Sequence, residues 1–171
     1  MFNFITLIFQ KYVYSRDLRQ FKKNFIYYVF FRLIRKTLTS KIKIKIYNID
    51  IWASNKKNEM SHSLLRKCDF EDNQEIRLID KINKDYLIYL FDCGSNFGFY
   101  SLYVASKNKE NKVCSFEASP STFYEMKQNI ILNKYKTIEA KNLAVSNVDG
   151  EMLNLFESEK DWESSISHSN F

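Results

Sequence analysis

A chain of 171 residues, 45% of them hydrophobic and 27% charged, has the size and composition of one globular domain with an appendage. Its three cysteines are odd in number and form no C-x-x-C pair, so neither a disulfide framework nor a zinc site is indicated, and a reducing, cytoplasmic compartment fits best. The longest apolar runs are far shorter than the ~20 residues that span a bilayer.

The net charge of +6 is concentrated near the N-terminus. Residues 1–50 carry eleven Lys and Arg residues against two acidic ones, whereas the rest of the chain carries 15 basic and 18 acidic residues. The pattern from Phe4 to Leu38 is mostly helical, and Asp17 is placed to cap a second helix. We define residues 1–40 as a basic, aromatic arm, and expect it to be either a peripheral membrane contact or a solvated helical appendage.

Residues 41–86 are predicted as a lead-in of strands and one helix. The stretch Lys41–Trp52 (KIKIKIYNIDIW) alternates strictly as far as Tyr47, where its phase slips, and the slip predicts a bulge or a tight hairpin near Asn48. Residues 53–68 are polar and predict a loop, whereas Glu71–Ile82 has helical spacing.

Residues 87–171 alternate strands and helices. Short apolar runs predict strands, the first of them buried on both faces, and Ser119 with Pro120 provides a cap and a first-turn proline for the second helix. The predicted strands are Leu87–Phe91, Val113–Phe116, Thr137–Val145 and, after a turn at Asn147–Gly150, Met152–Phe156; the helices are Phe99–Ser106 and Ser119–Asn133. The tail after Asp161 has no readable structure. The βαβαβ order predicts an α/β fold, namely the first half of a Rossmann-like sheet with an N-terminal helical and β extension.

Two of the three glycines, Gly94 and Gly98, fall in the short stretch FDCGSNFGFYS between the first strand and the first helix of this region. A residue without a Cβ permits both a sharp turn and the close approach of a ligand to the backbone. The loop lacks the central glycine of a nicotinamide fingerprint and the Gly-Lys-Ser/Thr ending of a Walker A loop, which disfavours a phosphate-bearing ligand. The carboxylate of Asp92 instead favours S-adenosylmethionine, whose ammonium and sulfonium groups a helix N-terminus alone would repel.

Glu117 ends the second strand, 23 residues after Gly94, where an acid can accept hydrogen bonds from both hydroxyls of a ribose. Adenine is expected against the end of the third strand, from Asn142 to Ala144. Structural roles stay open for the same side chains: Asp92 could cap the following helix, Glu117 could be a solvated strand-end acid and Asn96 could brace the turn. No metal site is predicted.

The stretch Asp92–Ser101 resembles the glycine loop D-x-G-A-N-x-G-x-Y/F-S/T of the FkbM-type S-adenosylmethionine-dependent methyltransferases, with Ser95 in the alanine position. Phe116–Pro120 is similar to their F-E-P-x-P segment, apart from Ala118, and weaker matches are Asn129, Asn133 and the turn from Ala144 to Gly150. The resemblance covers residues 87–157 and implies a class I methyltransferase fold, S-adenosylmethionine as cofactor, and methyl transfer to a hydroxyl of a glycan or small-molecule acceptor. The predicted cofactor-binding residues are Asp92, Gly94, Ser95, Asn96, Gly98, Tyr100, Ser101, Glu117, Asn142 and Ala144; no catalytic residue is assigned.

Members of this family continue with a fourth strand that pairs with the first, so the resemblance implies a cofactor-binding fragment that is inactive alone. An unpaired apolar strand edge is an aggregation site, and we therefore expect a longer reading frame or another chain to complete the sheet. Two other functions stay open. One is a non-enzymatic membrane-associated module acting through residues 1–40, and the other, less favoured, is a nucleic-acid methyltransferase that uses the arm as a phosphate clamp.

Overall fold

The computed structural model describes residues 14, 17–22, 25, 29, 41–53, 63–64, 67–70, 73–156 and 165–168. The chain divides into two compact units, residues 1–75 and 76–171. The sequence analysis begins the corresponding region at residue 87, eleven residues after the start of the second unit at residue 76. The helix in between contacts the sheet, but no local pattern in the sequence indicates those contacts. Most of the arm, residues 1–40, lies outside the described residues. None of the described helices is long and apolar enough to cross a membrane.

The first unit is built around a β-hairpin of strands β1, Ile42–Ile46, and β2, Ile49–Ala53. Tyr47 and Asn48 form its two-residue turn with φ of 49° and 65°, both in the left-handed region that such turns require. The isoleucines of both strands are buried, so the phase slip in the sequence is the turn of a hairpin and not a bulge.

Asp17 joins the short helix α1, Arg19–Lys22, to this hairpin. One carboxylate oxygen accepts from the backbone amide of Arg19 at 3.0 Å, and the other accepts from that of Tyr47 at 2.9 Å. The expected capping role of Asp17 is therefore confirmed. The loop predicted for residues 53–68 is wrong in part, because Ser63, Leu64 and Lys67 are helical and Leu64 is buried.

The second unit contains a three-stranded parallel sheet with the strand order β3-β4-β5. Its elements are α2, Asn73–Asp85, which begins at the boundary of the units; β3, Tyr89–Cys93; α3, Phe99–Lys107; β4, Lys112–Phe116; α4, Pro120–Asn133; and β5, Ile138–Lys141. An antiparallel hairpin follows, formed by β6, Leu153–Phe156, and β7, Ser165–His168. The predicted α/β fold, a Rossmann-like βαβαβ half, is confirmed.

Several details differ from the sequence prediction. Strand β3 spans Tyr89–Cys93 instead of Leu87–Phe91. Strand β5 ends at Lys141 instead of Val145, and the apolar residues beyond it are exposed, Leu143 by 57% and Val145 by 54%. The tail contains β7. Strand β3 is not buried on both faces, because Tyr89 and Phe91 are 65% and 72% exposed.

Helix α3 covers one face of the sheet, and polar contacts fix it there. The Ser101 hydroxyl of α3 lies 2.7 Å from that of Ser115 in β4, and both residues are fully buried. Helix α4 approaches the start of α3, where Met126 packs against Gly98. The opposite face, which carries Tyr89 and Phe91, is exposed.

Asn111 is fully buried and directly precedes β4 in the sequence. It connects three segments of this unit. Its side-chain amide nitrogen donates to the side-chain oxygen of Asn83 in α2 at 2.6 Å and to the carbonyl of Val104 in α3 at 2.8 Å. Its side-chain oxygen accepts from the backbone amide of Ile88 at 2.9 Å. Helix α2 is thereby tied to the sheet.

Candidate functional site

The glycine loop, residues 94–98, lies at the carboxyl end of β3, the end at which parallel α/β sheets bind ligands. Gly94, Asn96 and Gly98 all have positive φ, at 76°, 49° and 87°. The backbone amides of Gly94 and Ser95 both donate to the carbonyl of Phe116 at 2.9 Å. The loop is therefore fixed to the end of the neighbouring strand, β4.

The two glycines of the loop serve different structural purposes. A Cβ built on Gly94 would meet no atom within 4 Å, so the space beside its backbone is open. A Cβ on Gly98 would come within 2.9 Å of Cγ of Met126, and Gly98 itself is buried. Gly94 thus leaves room for a ligand, whereas Gly98 provides a tight contact between the loop and α4.

Glu117, the first residue after β4, holds the loop with its carboxylate. One oxygen accepts from the backbone amide of Asn96 at 2.8 Å, and the other accepts from that of Ser119 at 2.9 Å. Each carboxylate oxygen can accept a second hydrogen bond. The structure thus gives Glu117 a bracing role and leaves it acceptor capacity for a pair of ligand hydroxyls.

Asp92 lies one residue before the end of β3, and its carboxylate caps α3. The backbone amide and the hydroxyl of Ser101 both donate to this carboxylate. Burial raises the pKa of Asp92 above its ordinary value of 3.8, and the two bonds from Ser101 oppose that rise. The capping role considered from the sequence is therefore present, and Asp92 adds negative charge beside the loop when it is ionised.

Ser95 and Asn96 support the loop from within. The buried hydroxyl of Ser95 donates to the backbone carbonyl of Asp92 at 2.6 Å. The side-chain oxygen of Asn96 accepts from the backbone amide of Phe97 at 2.8 Å, in addition to the bond from its own amide to Glu117. The bracing role expected as an alternative for Asn96 is thus observed.

Asn142, the first residue after β5, reaches the segment that follows Glu117. Its side-chain amide nitrogen donates to the carbonyls of Glu117 at 2.7 Å and Ala118 at 3.0 Å. Ala144 is exposed. Tyr100 is half-buried and packs edge-on against Phe99, with ring centroids 5.9 Å apart.

Asn129 of α4 is a loop-supporting residue that the sequence analysis noted only as a family match. It is fully buried, and its side-chain nitrogen donates to the carbonyl of Phe97 at 2.9 Å. Asn133, one turn later, donates to the carbonyl of Asn129 at 2.7 Å. A local signal existed, because Asn129 shares a helix face with the buried Met126 and a buried asparagine needs hydrogen-bond partners.

No cluster of three or more His, Cys, Asp or Glu residues suited to a metal ion occurs within the part of the chain that the structure describes.

No family model matches the chain, and a search of curated proteins finds no match. Among solved structures, the chain is similar to an S-adenosylmethionine-dependent methyltransferase from Agrobacterium tumefaciens, with 12% identity and a TM-score of 0.47 over 63% of this chain and 33% of that one. It is also similar to a structure from Listeria monocytogenes that is provisionally described as such an enzyme, with 20% identity and a TM-score of 0.36 over 47% of this chain and 37% of that one. The chain therefore spans about a third of the length of either structure.

Proposed function

We propose that residues 76–156 form the cofactor-binding half of an S-adenosylmethionine-dependent methyltransferase of the FkbM type. The observation that carries this proposal is the pairing of an open space over Gly94 with the Glu117 carboxylate, at the carboxyl ends of two neighbouring parallel strands. The residues present fit such a group, because the site offers backbone access, hydroxyl acceptors and negative charge together.

Electrostatics favours a cationic ligand over a phosphate at this loop. A phosphate would gain from the N-terminus of α3, but it would also lie near the carboxylates of Asp92 and Glu117. The ammonium and sulfonium groups of S-adenosylmethionine would gain from both acids. Burial raises the pKa of Asp92, and the bonds from Ser101 oppose that rise by favouring the ionised form, which is the form that this role requires.

Recognition of the adenosine part is proposed for the ends of β4 and β5. Glu117 would accept hydrogen bonds from the ribose hydroxyls with the capacity that Asn96 and Ser119 leave open. The exposed side chain of Leu143 would provide apolar surface for adenine, while Asn142 fixes this segment to the backbone after Glu117.

The cofactor supplies a methyl group on a positively charged sulfur, and catalysis of such a transfer depends on the alignment of the acceptor with that group. The chain's own contribution is a glycine loop held in a fixed position for the cofactor, since this loop is hydrogen-bonded to β4, Glu117 and Asn129. We place the acceptor, a glycan or small-molecule hydroxyl, outside the described residues.

A matched pair of glycine variants tests the cofactor site. Gly94→Ala and Gly150→Ala impose similar backbone strain, because both positions have positive φ, 76° and 72°, and open space around a Cβ. Calorimetric titration of the 171-residue chain with S-adenosylmethionine should show about tenfold weaker binding for Gly94→Ala, which corresponds to ~1.4 kcal/mol, and unchanged binding for Gly150→Ala.

Two results would contradict the proposal. One is a folded wild-type chain that binds neither S-adenosylmethionine nor S-adenosylhomocysteine. The other is an equal loss of affinity in both alanine variants, which would trace the loss to backbone strain instead of the ligand space. The alternatives that depend on residues 1–40 lie largely outside the described residues and stay predictions.

A further inference from the structure

A row of hydrogen bonds runs from the interior of the sheet to the acid beside the glycine loop. The Ser115 hydroxyl of β4 lies 2.7 Å from the Ser101 hydroxyl of α3, and the Ser101 hydroxyl donates to the carboxylate of Asp92 in β3. Both serines are fully buried. Ser115 is therefore linked to the cofactor site through Ser101.

The number of protons fixes the direction of these hydrogen bonds. A serine hydroxyl has one proton to donate, and that of Ser101 is donated to Asp92. Ser101 can therefore only accept from Ser115. Among the residues that the structure describes, Ser101 is also the acceptor within reach of the Ser115 hydroxyl, and a buried hydroxyl needs one. Both protons thus point toward the carboxylate.

The three residues lie in one buried layer between the sheet and α3. Asp92 and Ser115 are paired across the parallel strands β3 and β4, so both side chains project from the face that α3 covers. Hydrogen bonds are stronger in such a position than in water, and successive bonds polarise one another. The bond from Ser115 should therefore strengthen the bond that Ser101 makes to Asp92.

The charge of Asp92 depends on this layer. Burial raises the pKa of Asp92, the two bonds from Ser101 oppose that rise, and no other ionisable group of the described residues is among the causes. The other titratable side chains of β3 and β4 alternate onto the opposite face of the sheet: Tyr89, Cys93, Lys112 and Cys114. Those of α3 and of the residue after β4 have other partners: Tyr100, Tyr103, Lys107 and Glu117.

We propose that Ser115 is a positioning residue of the cofactor site, acting through Ser101 to keep the negative charge on Asp92 beside the glycine loop. The inference rests on the proposed function, because the part of the ligand that gains from this charge is the cationic part of S-adenosylmethionine. The uncharged ribose and adenine do not depend on it.

The titration of Asp92 tests the hydrogen bonds in the ligand-free chain. Its carboxyl carbon, identified by the signal lost in Asp92→Asn, is followed by NMR as the pH is lowered. The midpoint should move to higher pH in Ser115→Ala and further in Ser101→Ala. The double variant should titrate as Ser101→Ala does, because Ser115 acts only through Ser101. Ser106→Ala, which removes a hydroxyl bonded to the carbonyl of Tyr103 within α3, should titrate as wild type.

Two ligands separate the charge of the site from its shape. S-adenosylmethionine carries an ammonium and a sulfonium group, whereas methylthioadenosine keeps the adenosine and lacks both charges. At the wild-type midpoint of Asp92, calorimetric titration of Ser115→Ala should show about threefold weaker binding of S-adenosylmethionine and unchanged binding of methylthioadenosine. Well above both midpoints, Ser115→Ala and wild type should bind S-adenosylmethionine equally, since Asp92 is ionised in both.

Three results would overturn the inference and leave the proposed function intact. One is an unchanged Asp92 midpoint in Ser115→Ala, and another is an equal effect of Ser115→Ala with and without the Ser101 hydroxyl, which would assign the effect to packing. The third is an equal loss of affinity for the two ligands in a variant that circular dichroism shows to be folded. A wild-type chain that binds neither ligand would instead remove the proposed function, and the role of Ser115 in it.

Discussion

The carboxylate of Glu117 accepts the backbone amide of Asn96 at 2.8 Å, across 21 residues of sequence. Asn96 has a φ of 49°, in the left-handed region that residues other than glycine seldom adopt. A charge-assisted hydrogen bond contributes about 1.5–3 kcal/mol, which is enough to offset the cost of one such residue. The acid proposed to bind ribose is thus also the residue that holds the glycine loop in shape.

Glu117→Gln should therefore weaken both the fold and cofactor binding. An amide side chain has only one oxygen to replace the two that serve Asn96 and Ser119. We expect a loss of about 1–3 kcal/mol in the free energy of unfolding by urea, and about tenfold weaker binding of S-adenosylhomocysteine by calorimetry. Glu110→Gln, at an exposed acid in a turn, should change neither, and an unchanged urea midpoint for Glu117→Gln would contradict the bracing role.

Gly98→Ala should cost more stability than Gly150→Ala. Both variants impose a positive φ on alanine, at a cost of about 1–2 kcal/mol, but only the new Cβ at Gly98 would meet Met126, at 2.9 Å. The contact should add about 1–3 kcal/mol, measured as the difference between the two free energies of unfolding. Met126→Ala in the Gly98→Ala background should then lower the free energy of unfolding less than Met126→Ala does alone. Strictly additive effects of the two substitutions on that free energy would argue against the contact.

The buried Asp92 should make stability depend on pH. Because burial raises its pKa above 3.8 in the folded state, the folded chain holds this proton more tightly than the unfolded chain does. The resulting stabilisation is fully present below pH 3.8 and is lost as the pH rises through the folded pKa. Asp92→Asn, which does not titrate, should gain in free energy of unfolding relative to wild type as the pH is raised from about 4 to about 7.

Ser101→Ala provides the check on that assignment. Removing the hydroxyl takes away a bond that lowers the pKa of Asp92, so the loss of stability should extend to higher pH in urea titrations. A stability difference between Asp92→Asn and wild type that stays constant with pH would contradict the raised pKa.

Asn129→Leu should loosen the glycine loop from the side of α4. The substitution places an apolar residue of similar size in the buried face and leaves the carbonyl of Phe97 without this donor. An unsatisfied buried carbonyl costs about 1–3 kcal/mol, and the amides of Gly94 and Ser95 should exchange hydrogen faster. Gln128→Leu, at a half-buried neighbour, should leave the exchange of these two amides unchanged, and equal protection in both variants would exclude the brace.

Local signals in the sequence predicted the order of elements well. Ser119 accepts from the backbone amide of Thr122, and Pro120 begins α4, as the cap pattern predicts. The alternating isoleucines predicted the two strands, because a period of two is readable without knowledge of the rest of the fold, whereas the phase slip near Asn48 left a bulge and a hairpin equally open. The glycine loop was also placed correctly between β3 and α3, because two glycines between an apolar run and a helical pattern are a local signal for a turn.

The remaining features depend on contacts that local patterns do not encode. The apolar run of β3 reads the same whether one face or both faces are covered, so the burial expected on both faces was wrong at Phe91, although the resemblance already implied an unpaired edge at this strand. Strand β5 ends early where Asn142 bonds to the backbone after Glu117, 25 residues away in sequence. The capping of α3 by Asp92 was one of two open interpretations, and the Ser101 contacts support it without excluding an electrostatic role for the same charge.

Asn111 links the side chain of Asn83, the carbonyl of Val104 and the amide of Ile88 through one buried amide group. These three segments, namely helix α2, the entry to β3 and the later part of α3, therefore cannot unfold independently. The first segment to detach would leave a buried polar group in the others without a hydrogen-bond partner. These three segments should behave as a single cooperative folding block with one common opening free energy. Residues 76–86 are accordingly part of the smallest piece of this chain able to keep its sheet intact.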